Sequence, residues 1–156
     1  MKFRNIMKRL IASQAGTSLI EFALVAPIFV FMLVCVIEVG RYTYFGIVAA
    51  HAARAGVQYG SQNLVTAASP AGGAIENAAL NDAGNLSGWK ATHAVVCTNA
   101  GTQVTCPVAA SGGIGPNLVY YVQVKVTGTV SSLLKYPGIP QQSSFTATST
   151  MRVANE

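Results

Sequence analysis

Hydrophobic positions along this chain follow three patterns in turn: an unbroken apolar run, a stretch of helical spacing, and a C-terminal half that alternates. From Leu19 to Ile37 the one charged residue is Glu21. Residues 19–39, at about 1.5 Å per helical residue, cover roughly 30 Å, enough to cross a bilayer. The helical pattern continues outward from Arg41 to Gln62. There Tyr42, Phe45, Ala49, Ala52, Gly56 and Tyr59 recur at steps of three and four, with His51, Arg54 and Gln58 on another side. The small residues on this seam permit close approach, either to a helix of a neighbouring subunit or to the chain's own C-terminal domain. Ser69-Pro70 and Gly72-Gly73 mark a break, and Ala74–Ala83 reads as a short second helix with Ile75, Ala78, Ala79 and Asp82 setting its faces.

Strand signals follow. They cover residues 91–97, 104–108, 118–130, and a last segment beginning near Ser144. The third is the clearest: Tyr120, Val122, Val124 and Val126 alternate with Tyr121, Gln123, Lys125 and Thr127, which buries one face and wets the other. In the fourth, Phe145, Ala147, Ser149, Met151 and Val153 share a side. The expected fold is α+β: a long N-terminal transmembrane helix continuing outward, then a small antiparallel β domain.

Charge assigns an orientation. Lys2, Arg4, Lys8 and Arg9 precede the apolar run without an acidic residue among positions 1–16, which predicts a cytoplasmic N-terminus and an exported C-terminus. The net charge of +5 resides mostly in this leader. Without it, six basic and five acidic residues remain, a balance that gives no indication of nucleic-acid binding. The expected organisation is a leader at 1–16, a helix at 17–62 and an exported domain at 63–156. The small-x-small site Ala50-His51-Ala52 lies too far beyond the apolar segment for ordinary signal cleavage.

Glu21 needs a reason to be where it is, because an ionised carboxylate in hydrocarbon costs about 2.5 kcal/mol or more. Gly16 offers a protease an open backbone between leader and apolar helix. A cut there would create a new ammonium at Thr17, one helical turn from Glu21. Amine and carboxylate could then pair, within a chain or between staggered neighbours. The competing reading is an uncut anchor whose Glu21 reaches up to the headgroups. Glu38 and Arg41, three apart at the outer boundary, fit a local ion pair or a bridge to another subunit.

Of three cysteines, Cys35 lies in the apolar helix, where a thiol acts as a small apolar group. Cys97 and Cys106 bracket a hairpin tip. With Gly101-Thr102 as a two-residue turn they face each other as a non-hydrogen-bonded pair, which predicts a disulfide. Two cysteines without a nearby His do not make a zinc set, and no metal or cofactor is expected. His51 and His93 are far apart, acids are few, and no Gly-x-Ser-x-Gly elbow occurs, so no enzyme is expected.

Gly16 followed by Glu21-Phe22 resembles the prepilin-peptidase site of type IV pilin-like proteins. The wider stretch Gly16–Pro27, with Glu38-Val-Gly-Arg41 and Ala52-Ala-Arg54-Ala-Gly56, resembles the TadE-like family, minor pilins or pseudopilins of the bacterial Tad (Flp) pilus system. The resemblance covers roughly residues 15–60. It implies removal of the leader by prepilin peptidase between Gly16 and Thr17 and a role for Glu21 and Phe22 in assembly. It also implies partnership with other pilin subunits and the Tad inner-membrane assembly platform, location in the inner membrane and then the pilus, and support of adhesion and biofilm formation. Glu38, Arg41, Tyr42, Phe45, Ala49 and Gly56 are the candidate interface residues.

Overall fold

The computed structural model describes residues 16–84, 86–106, 118–133 and 141–154. The chain divides into two compact units, Met1–Arg41 and Tyr42–Glu156. Helix α1 (Thr17–Gly60) supplies the helical part of the first unit and the opening element of the second, and it runs through Pro27 without a break. In the first unit α1 is apolar on every side. Its most hydrophobic 18-residue window has a mean hydropathy of 2.7, and none of that window is buried. Such a helix is long and apolar enough to cross a membrane, and bare apolar side chains all round suit a lipid solvent better than water.

The second unit is α+β. After α1 come α2 (Leu64–Ala67), α3 (Ala74–Asp82), β1 (Lys90–Asn99), β2 (Thr102–Val104), β3 (Leu118–Ser131) and β4 (Gln142–Arg152). The sheet is antiparallel with strand order β2-β1-β3-β4. Ahead of the break at Ser69-Pro70 and Gly72-Gly73 the chain forms α2, which was not expected, because Asn63 caps it: its side-chain oxygen accepts from the Thr66 backbone N–H at 2.7 Å. Helix α3 stops at Asp82, and Gly84 supplies the positive φ that turns the chain away.

The core forms between the helices and one sheet face. Val122, Val124 and Val126 are fully buried, as their alternation predicts, and they meet Ala52, Ala53, Gly56 and Val57 of α1 with Ile75 and Ala79 of α3. Approach here is close: a methyl group added at Gly56 would stand 3.0 Å from both Ala79 Cβ and Val124 Cγ1. At Gly60 the same addition would meet Ile75 Cδ1 and Val122 Cγ1 at 3.0 Å. The small-residue seam thus lets α1 lie on its own sheet. Its buried side includes Ala53, Val57 and Gly60, while Tyr59 faces outward.

The β1–β2 hairpin differs from expectation in register. Its turn is centred on Ala100 and Gly101, both at positive φ (48° and 87°), the signature of a type I′ connection whose twist suits a tight hairpin. Cys97 therefore faces Val104, not Cys106. Moving the pairing by two residues preserves which side each residue faces, so Cys106 stays on the same side as Cys97, diagonal to it. The Cys97–Cys106 disulfide forms with its Cα atoms 5.2 Å apart. Strand β2 ends at Val104, where residues 104–108 were expected to be extended; residues 107 and 108 lie outside the described residues. The sequence also reads 85–88 as a turn, 111–117 as a loop and 133–140 as an apolar connection between the last two strands; of these, residues 85, 111–117 and 134–140 lie outside the described residues. Replacing both Cys97 and Cys106 by Ser is expected to lower stability by about 2–3 kcal/mol, the entropy of a ten-residue loop. Thermal melts with and without reductant check this, since reductant should move the wild type and leave the variant alone.

Candidate processing and assembly site

The predicted cut lies at the mouth of α1. Gly16 is half-buried with nothing within 4 Å of where a side chain would stand, and Thr17 is the first residue of the helix. Glu21 and Phe22 follow one turn later, both exposed. On a helix, positions four apart lie one above the other, so Thr17 and Glu21 share a side. The first turn holds no acidic residue, and Glu21 is the nearest carboxylate to the electropositive helix start. Among the described residues no cation is paired with it.

The other candidate positions fall into two groups. Glu38 and Arg41 form a local ion pair at 2.9 Å. A partly exposed pair three residues apart on a helix is worth about 0.3–0.5 kcal/mol, so it neutralises charge more than it stabilises. Tyr42, Phe45, Ala49 and Gly56 belong to the second unit and face inward. The Tyr42 and Phe145 rings lie 5.9 Å apart, and Phe45 stands 6.3 Å from Trp89 and 6.4 Å from Phe145. Ala49 and Gly56 are buried. Both are taken up in the core of their own unit, Gly56 within contact distance of Ala79 on α3 and Val124 on β3.

Sequence reasoning did not join Glu76 to His93. The structure brings His93 Nδ1 within 2.6 Å of Glu76 Oε1, linking α3 to β1, with both side chains about 95% buried. The second carboxylate oxygen, Oε2, is buried without a hydrogen-bond partner among the described residues. Burial works to raise the Glu76 pKa. The His93 hydrogen bond, backbone N–H groups of Glu76 and Gly72, and the His93 charge outweigh it and hold the pKa below the ordinary 4.5. With the carboxylate ionised, Nδ1 carries the proton and donates. The available signal was parity, since His93 falls on the inward side of β1 with Val95 and Cys97. His51 is exposed on α1. Among the described residues no three of His, Cys, Asp and Glu gather as metal ligands would.

No curated protein and no solved structure matches this chain. A protein-family model described as TadE-like protein does match, over residues 16–58, which runs from the predicted cut through most of α1, and this N-terminal segment is similar to that family.

Proposed function

We propose that the chain is a minor pilin-like structural subunit of a Tad-type pilus, and not an enzyme. Its basic leader holds the N-terminus in the cytoplasm, and α1 crosses the inner membrane. Prepilin peptidase removes residues 1–16, and the second unit lies outside. The Thr17 ammonium then pairs with Glu21 as the subunit joins other pilins on the Tad inner-membrane platform. Adhesion and biofilm formation are the traits this assembly would support. The observation carrying the reading is the family match that begins at Gly16 and includes an exposed Glu21, one turn from Thr17 and the one charged residue of α1 before Glu38.

Mass spectrometry of the mature N-terminus, on native membranes and on sheared filaments, tests it. Wild type and Glu21→Ala should both begin at Thr17, with only the wild type present in filaments. A chain retaining residues 1–16 beside an active peptidase would leave a non-polymerising, membrane-anchored adhesin or periplasmic binding module. Normal filament incorporation of Glu21→Ala would sink the pairing.

A further inference from the structure

The sheet has a second face, opposite the core. Strand alternation turns Gln123 and Lys125 of β3 outward, and directly paired residues of neighbouring strands share a face. The register therefore sets Thr92, Lys125 and Thr148 in one row, Lys90, Thr127 and Thr146 in the next, and Tyr121 with Arg152 near the far end. Between these rows the Gln123 amide reaches the Thr150 hydroxyl at 3.4 Å. In the unit Tyr42–Glu156, the carboxylates among the described residues are Glu76 and Asp82, both on α3, which packs against the core side.

Among the described residues the outward face thus holds three cations, hydroxyl groups, the amides of Gln103, Gln123 and Gln142, and the apolar Ala94, Val96 and Val119, with no carboxylate. The cations run diagonally, one on each of three strands. Lys90 is level with Thr127 and Arg152 with Tyr121, so the track extends about 20 Å along the strands at 3.3 Å per residue. At its end the half-buried Tyr121 on β3 is paired in register with Arg152 on β4. Core packing requires none of this, because these side chains point away from it.

We propose that this face binds an anionic polysaccharide. Lys90, Lys125 and Arg152 meet carboxylate or sulfate groups, the guanidinium in its forked geometry. Threonine hydroxyls and the Gln123 amide hydrogen-bond sugar hydroxyls, and Tyr121 offers its ring to one sugar. A nucleic acid fits less well. Single strands are held by several stacking platforms along a charged groove, and among the described residues this face provides one aromatic ring. The inference holds whether or not the subunit polymerises.

The experiment uses the full chain in phosphatidylcholine nanodiscs, titrated with polygalacturonate, neutral dextran and oligothymidylate. Polygalacturonate should bind and dextran should not, with binding lost in half-molar salt as screening predicts. The double variant Lys125→Gln/Arg152→Gln should weaken polygalacturonate binding about tenfold, the combined worth of a few exposed ion pairs. Both positions are exposed, and an unchanged near-UV spectrum confirms the fold. Three results would overturn the proposal: no retention of polygalacturonate, undiminished binding by the variant, or oligothymidylate binding at least as tightly.

Discussion

Replacing His93 by leucine is expected to cost the Tyr42–Glu156 unit about 3–5 kcal/mol, because it strands a buried carboxylate. Domains of this size are stable by only about 5–15 kcal/mol, so such a loss removes a large share of the margin. Glu76 has one oxygen 2.6 Å from His93 Nδ1 and the other buried without a hydrogen-bond partner among the described residues, so losing the imidazole leaves its charge to the backbone N–H groups of Glu76 and Gly72 alone. The double variant Glu76→Leu/His93→Leu should recover most of the loss, since an apolar pair of similar volume avoids the desolvation cost altogether. Thermal unfolding of the detergent-solubilised chain measures both. Equal destabilisation by the single and double variants would mean that the site needs the imidazole's shape and not its charge pairing.

The same pair predicts a response to acid. The pKa of Glu76 in the fold lies below its ordinary 4.5, so the unfolded chain takes up the proton more readily than the folded one. The stabilisation it contributes is therefore complete above the ordinary value and disappears as pH falls through the depressed one. Relative to the double variant, the wild type should therefore lose stability as pH falls through that acidic window.

What the sequence revealed, and what it concealed, follows from the range of the forces involved. The apolar run and the alternation of β3 are one-dimensional signals, and they matched a helix beginning at Thr17 and a strand over Leu118–Ser131. Cys97 and Cys106 were legible as a pair because their parity survives a two-residue slip in register, although the slip itself was not visible. A turn on Ala100-Gly101 needs a non-glycine residue at positive φ, which sequence reasoning disfavours in competition with Gly101-Thr102. The seam at Ala49 and Gly56 was ambiguous for a different reason. Small residues report only that something comes close, and the sequence left open whether that was a neighbour or the chain's own sheet. The Glu76–His93 pair was hidden because the contact joins two elements across seventeen residues, and neither residue looks unusual within its own.

Trimming Trp89 to alanine is the other change expected to cost most, about 3–5 kcal/mol, as for a large aromatic removed from a core. Trp89 immediately precedes β1, level with Gly128 of β3 when the strand register is extended by one pair. Its indole lies across the glycine so closely that a methyl group at Gly128 would overlap the ring. Phe45 and Phe145 complete the cluster, with Phe145 directly opposite Gly128 on the other neighbouring strand. The glycine weakens the strand locally, and the aromatic ring covers the backbone it exposes. Gly128→Ala should therefore destabilise by about 1–3 kcal/mol through overpacking, even though alanine suits a strand better than glycine. The two effects are coupled: in a Trp89→Leu background most of the Gly128→Ala penalty should vanish, because the smaller side chain leaves room for the methyl. A double-mutant cycle on thermal stability reads that coupling directly. Additive effects would show that Gly128 is required for its backbone freedom and not for the space that Trp89 fills.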